Sequence, residues 1–173
     1  MNAKRVSLRA LGTEDLERTL VWVNDPEVTR FTGTVYPISG SEHQLWYQEL
    51  LKDGKRRMFA VVTADGRHIG NVGLKNIDWI ARKAEVMFYI GEAQFRGKGY
   101  GKEAIAALVD FAYQRLNLRR LYANAFSYNE RSIKSLERCG FQREGLLKDD
   151  VFRDGRYHDV VVLGVLRKEE SGS

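Results

Sequence analysis

The sequence predicts an α/β domain of the α+β kind, built from about seven strands and about four helices. Three observations carry this. Runs in which apolar and polar side chains alternate, the period of a half-buried strand, are interspersed with runs whose apolar residues recur every three or four positions, the period of a helix packed on one side. The dipeptides Asp65-Gly66 and Asp154-Gly155 each separate two strand-like runs, as hairpin turns do. A glycine-rich stretch joins an apolar strand-like run to the longest helical one.

Val6 to Leu11 alternates and reads as the first strand. Thr13 caps a helix from Glu14 to Val23, with Leu16, Leu20 and Val23 on one face, which stops before Asn24-Asp25-Pro26. Ser39 and Glu42 form a Ser-x-x-Glu capping box that opens a second helix through Trp46, Leu50 and Leu51 to Gly54. Met58 to Thr63 and His68 to Leu74 are β-rich runs around Asp65-Gly66, a two-residue hairpin signal, and Ala84 to Ile90 extends the meander. Past the glycines, Ile105, Leu108, Val109, Ala112 and Leu116 repeat at helical spacing until Asn117. Arg119 to Phe126 is a further strand, and Asn129 caps a shorter helix bearing Ile133 and Leu136, stopped at Gly140. Glu144 to Phe152 and Tyr157 to Leu166 close the chain as a hairpin about Arg153-Asp154-Gly155-Arg156. One domain is expected over residues 1–167, with a polar tail at 168–173.

The stretch Arg96-Gly97-Lys98-Gly99-Tyr100-Gly101 has the chemistry of a phosphate site. Its glycines let a ligand approach the backbone, and successive N–H groups in such a loop form an anion-binding concavity. The following helix adds the positive end of its dipole, and Arg96, Lys98 and Lys102 add full charges. A plainer reading is a glycine-rich strand-to-helix turn with solvated cations. A P-loop would need Gly-Lys-Ser/Thr, whereas Gly101-Lys102-Glu103 follows Tyr100 and offers no hydroxyl for a magnesium ion.

Composition narrows the classes. At 173 residues and 43% hydrophobic content the chain suits one domain. It has no run near the ~20 apolar residues that a bilayer requires, and Met1 to Arg9 lacks the apolar core of a signal peptide, so a soluble cytoplasmic protein is expected. The single cysteine, Cys139, excludes an internal disulfide, and three histidines without ligand spacing predict no metal site. A net charge of +5 suits nucleic acid or a polyanionic cofactor, and the charges show no aromatic interleaving of an RNA-binding kind.

Arg96, Gly99 and Gly101 match each fixed position of Gln/Arg-x-x-Gly-x-Gly/Ala, and the stretch resembles the acyl-CoA pyrophosphate loop of the GNAT superfamily of N-acetyltransferases. The element order resembles the whole GNAT fold, which implies a mixed, mostly antiparallel central sheet. Asn129-x-x-Ser132-Ile133 with Cys139-Gly140-Phe141 resembles the CoA-side helix and next strand, and Trp22-Val-Asn-Asp-Pro-Glu-Val with Phe152-x-Asp-Gly-x-Tyr157-x-Asp159 resembles the RimJ/RimL-type branch.

The resemblance implies an acetyl-CoA co-substrate and direct transfer to a primary amine in a ternary complex. The loop, Arg96, Gly97, Lys98, Gly99, Tyr100, Gly101 and Lys102, would hold the pyrophosphate, the backbone of Tyr89, Ile90 and Gly91 would pair with the pantetheine arm, and Asn129 would touch that arm or only cap its helix. Glu85, an acid in an otherwise apolar strand, is the candidate base, against a plainer salt bridge to Arg82 or Lys83. Many GNAT enzymes carry a tyrosine seven residues after the asparagine; here that position is Leu136, leaving Tyr128, Ser132, Ser135 or water to protonate the thiolate. His43 and His158 are lesser acid-base candidates, and Cys139 reads as a small buried side chain. Trp22, Asn24, Arg30, His43, Trp46, Tyr47, Asp149, Asp150, Phe152 and Tyr157 are the candidates for an acceptor cleft. A protein N-terminus such as that of a ribosomal protein, an amino sugar or sugar nucleotide, and a polyamine or other small amine all stay open as acceptor. No membrane partner is expected, and either a monomer or a homodimer. The competing class is a CoA-binding module without chemistry, or a basic RNA-associated protein of the same fold.

Overall fold

The computed structural model describes residues 4–168; the rest of the expected tail, 169–173, lies outside the described residues. Seven strands form one sheet in the order β1-β2-β3-β4-β5-β7-β6: β1 (Val6–Ala10), β2 (Arg57–Thr63), β3 (His68–Asp78), β4 (Lys83–Ile90), β5 (Arg120–Phe126), β6 (Gln142–Arg153) and β7 (Arg156–Leu166). All neighbours are antiparallel except β4 and β5, which run parallel. The described residues also form five α-helices: α1 (Leu16–Val23), α2 (Pro26–Thr29), α3 (Gly40–Lys52), α4 (Tyr100–Gln114) and α5 (Glu130–Glu137).

Three local readings are corrected. Thr13 begins a 3-10 turn, Thr13–Asp15, and is not a cap; the Asp15 carboxylate closes the turn by accepting from the Gly12 N–H at 2.8 Å. The short helix α2 was not foreseen, although Asp25 caps it through the Glu27 N–H (2.9 Å) and Pro26 starts it, a favoured first helical residue. The Asp65-Gly66 turn is a three-residue loop: Thr63 pairs with Arg67, and only Gly66 has positive φ (+82°), as in a type I turn followed by a bulge. Asp154 (+50°) and Gly155 (+80°) are both left-handed and make the expected two-residue turn. The Ser39/Glu42 capping box forms as read, with both reciprocal hydrogen bonds present.

The site is built by one irregularity in the sheet. β4 pairs with β3 along its length, but with β5 only at Lys83↔Arg120, Ala84↔Leu121 and Glu85↔Tyr122. From Val86 on the two strands part. α4 covers one face of β4, where its buried Ala104, Ile105, Leu108 and Ala112 join the main core with Val72, Leu74 and Leu121. Strand alternation puts Glu85, Met87 and Tyr89 on the opposite face, where the Tyr89 ring meets Trp22 of α1.

Candidate active site

The parting of β4 and β5 opens a cleft of about 930 Å³. The glycine loop lies at one end. Gly97 and Gly99 have φ of +72° and +86°, a region in which a Cβ is strained, and Gly99 is the N-cap of α4. The first hydrogen bond of that helix runs from the Glu103 N–H to the Gly99 carbonyl, so the N–H groups before it have no partner within the helix. Gly97, Gly99, Gly101 and Lys102 line the cleft. Opposite them α5 contributes Arg131 and Lys134, which the sequence reading missed; the Arg131 guanidinium carbon is 3.8 Å from where a Gly97 Cβ would stand. Backbone donors, a helix N-terminus and three cations suit a pyrophosphate.

Arg96 lines the cleft but is also a tie within the fold. Its guanidinium turns back, donating to the Ile90 carbonyl (3.0 Å), to the Gly91 carbonyl and to Asp25 (3.1 Å), and so ties the loop to the end of β4 and the start of α2. Lys98 and Tyr100 are not among the residues that line the cleft; Lys98 is exposed and Tyr100 packs partly buried against the core. The Lys98 carbonyl accepts from Arg5 at 3.1 Å, while the Tyr100 ring lies under the Arg5 guanidinium (4.3 Å) and against Phe95. Gly91 is needed for packing: a Cβ there would stand 2.0 Å from the Trp22 ring. Tyr89 and Ile90 do line the cleft, and among the described residues the β5-facing edge of β4 beside them has no strand partner.

Glu85 occupies the last rung before the strands part. It is 7% exposed, yet lines the cleft. Its partners are not Arg82 or Lys83. Lys75, directly across the β3 ladder, places Nζ 3.2 Å from Oε1, the Asn76 amide donates to Oε2 at 2.9 Å and the Asn124 amide to Oε1 at 3.3 Å. A bulge in β3 between Lys75 and Asp78 makes this possible, because it turns Asn76 to a φ of +52° and aims its side chain back at Glu85. Burial, and then the charge of Glu85, push the Tyr122 phenol upwards.

Of the hydroxyl candidates, Tyr128 lines the cleft but donates to the Arg30 carbonyl at 2.5 Å, and burial raises its pKa. Ser132 lines the cleft beside Asn129, whose side-chain oxygen accepts from the Ser132 N–H at 3.2 Å and caps α5. Ser135 bonds back to the Arg131 carbonyl (2.9 Å), and Leu136 is 1% exposed in the core. Cys139 donates to the Lys102 carbonyl, and burial pushes its thiol up.

The acceptor candidates divide. Arg30 and Asp150 line the cleft. Trp22 is 4% exposed and packs edge-on to His68 and Tyr89. Asn24 clips the end of α1 to Ile38, through its amide to the Ile38 carbonyl and the Ile38 N–H to its oxygen. His43 is buried against Thr19 (2.7 Å) and stacked on Trp46, and Tyr47 donates to the Leu11 carbonyl. Phe152 and Tyr157 pair with each other, exposed near the tip of the last hairpin, and Asp149 donates its N–H to Asp159. His158 packs edge-on against Tyr128. Trp22, Asn24, His43, Trp46, Tyr47, Asp149, Phe152 and Tyr157 are therefore not among the residues that line the cleft.

Among the described residues no cluster of three or more metal-ligating side chains occurs, and no helix is long and apolar enough to cross a membrane. Residues 5–142 match the family model of the acetyltransferase (GNAT) domain. The chain is 31% identical over 173 residues to an uncharacterized N-acetyltransferase p20 of Bacillus licheniformis, covering 98% of this chain and 97% of that protein. It is 29% identical to a putative ribosomal N-acetyltransferase, YdaF, of Bacillus subtilis, covering 98% and 95%. The crystal structure of spermidine N-acetyltransferase from Vibrio cholerae in complex with CoA and spermine superimposes with a TM-score of 0.88 at 30% identity, covering 95% of this chain and 96% of that one. The splayed sheet and its glycine loop thus have both a family and a chemistry: the chain belongs to the GNAT acetyltransferases and is an acetyl-CoA-dependent N-acetyltransferase.

Proposed function

We propose that this enzyme acetylates a small cationic amine of the polyamine class, with Glu85 as the proton acceptor. The carrying observation is the place of Glu85: a nearly buried carboxylate, fixed by Lys75, Asn76 and Asn124, on the cleft wall at the rung where β4 and β5 separate. An alkylamine with a pKa of about 10.4 costs roughly 4–5 kcal/mol to deprotonate at pH 7, so a fixed carboxylate has most to contribute for such an acceptor. Glu27, Glu130 and Asp150 add further carboxylates to the wall, which suits a chain of ammonium groups. The likeness to a structure holding spermine supports the same class.

In this reading Gly97, Gly99, Lys102 and Arg131 hold the pyrophosphate, and the open edge of β4 at Tyr89 and Ile90 takes the pantetheine arm. Asn129 shapes the wall at the start of α5. The amine attacks the thioester carbon, a C–N bond forms as the C–S bond breaks, and the amine proton passes directly or through water to Glu85. With Leu136 in the core, the thiolate is protonated by water or by the Ser132 hydroxyl on the cleft wall; the Tyr128 proton is engaged by Arg30. Resemblance to the RimJ/RimL-type branch adds a protein N-terminus as an acceptor to be tested.

One observation favours a second reading, an amino sugar: residues 30–39, which contribute Arg30, Phe31, Thr32 and Gly33 to the wall, carry aromatic and hydroxyl side chains and no carboxylate. The test is an acceptor screen by mass spectrometry with spermidine, spermine, amino-sugar nucleotides and peptides bearing ribosomal-protein N-termini. Acetylated polyamine is expected. Product from the sugars or peptides alone would overturn the polyamine assignment.

A further inference from the structure

Lys75 shares the wall with Glu85, opposite it in the β3–β4 register, with 40% of its side chain exposed and its Nζ 3.2 Å from the carboxylate. An ammonium at this place is a disadvantage for a cationic acceptor, which it repels. It is also a primary amine tethered beside the proton acceptor, on a flexible four-carbon stem, and tethering gives such a group a large effective concentration. We propose that in the absence of an external amine the enzyme acetylates its own Lys75. Of the three ammonium protons, one passes to Glu85 and on to solvent, one goes through water to the departing CoA thiolate, and one stays on nitrogen. The C–N bond forms as the C–S bond breaks, leaving N-acetyl-lysine and free CoA. The modified side chain is neutral, so Glu85 keeps only the Asn76 and Asn124 amides, and the acetyl group stands in the acceptor's path. The modified enzyme is therefore expected to be slower on external amines. The inference rests on the reading of Glu85 as proton acceptor.

The experiment incubates the full chain with acetyl-CoA alone at protein concentrations spanning a tenfold range, and follows intact mass and the modified position by fragment mapping. One acetyl group on Lys75 is expected, with a rate constant independent of protein concentration. Lys75→Arg should lose it, and Glu85→Gln, shown by thermal melting to be folded, should slow it by roughly a hundredfold. Lys75 unmodified, modified no faster than exposed lysines and equally in Glu85→Gln, or modified at a rate that rises with protein concentration would each overturn the proposal. Thiol release with the amine panel, measured in parallel, separates the two readings. Turnover of an amine with Lys75 unmodified removes self-acetylation and leaves the proposed function; Lys75 acetylated with no amine turned over does the reverse.

Discussion

Gly101 allows ligand binding to be separated from folding. It lies in the first turn of α4 and lines the cleft, and a Cβ there would meet only Phe88 at 3.6 and 3.8 Å and Ile90 at 3.9 Å, ordinary contact distances. Gly101→Ala therefore clashes with nothing in the protein and removes a helix-destabilising glycine, a gain of about 0.5 kcal/mol. For a chain of this size that raises the melting temperature by about 1–2 °C. The same methyl group stands in the space between α4 and β4 where the proposed pyrophosphate site requires close approach to the backbone. Acetyl-CoA affinity should fall at least about tenfold, or about 1.4 kcal/mol, and further in the bulkier Gly101→Val. Gly99 is a poorer choice, because at φ +86° a side chain costs about 1–2 kcal/mol of folding before any ligand is considered. Calorimetric titration beside a thermal melt makes the measurement. A folded Gly101→Val that binds acetyl-CoA like the wild type would refute the assignment of the loop.

Glu85→Gln should lower kcat/KM for an alkylamine by roughly a hundredfold near neutral pH, with acetyl-CoA affinity unchanged, and recover part of the loss at high pH, where neutral amine needs no base; an unaltered pH profile would confine Glu85 to its ion pair with Lys75. Trp22→Ala should destabilise by about 3–5 kcal/mol in chemical denaturation, because it empties the site under Gly91 and Tyr89, while a mere lining residue would change KM alone. Burial lowers the pKa of His43, so between its ordinary value near 6.5 and the lower folded value the unfolded chain binds a proton that the folded chain does not. Stability should be full above about pH 6.5 and fall as the pH drops through that window. His43→Gln should flatten that slope in denaturation curves taken across the window.

The glycine loop at one end of the cleft was legible in the sequence because its signal is local: the glycine spacing, the strand before it and the helix after it are contiguous. The role of Arg96 was not, since its three acceptors lie on β4, past its end and at the start of α2, and no spacing reveals a side chain that turns back. Glu85 stood out as an acid in an apolar run, but its partner Lys75 depends on register across a turn, and Asn76 on a bulge that no propensity marks. Trp22, His43 and Trp46 pack within the fold and are not among the residues that line the cleft, and the apolar face of a helix and a ligand-facing one look alike at helical spacing. Phe152 and Tyr157 stand exposed near the hairpin tip, outside the cleft lining, because strand alternation alone does not say how far a hairpin tip stands from a cleft.

A strand near the middle of a sheet is ordinarily the part of a domain slowest to exchange its amide protons. Among the described residues β4 is fourth of seven strands, yet from Val86 onwards one of its two edges lacks a strand partner. Amides on that edge should exchange as those of an outer strand do, orders of magnitude faster than their alternates bonded to β3. A bound co-substrate that lies along the edge would act as the missing neighbour, so deuterium uptake at alternate residues of 86–90 becomes a direct reading of occupancy, visible without turnover and without knowing the acceptor.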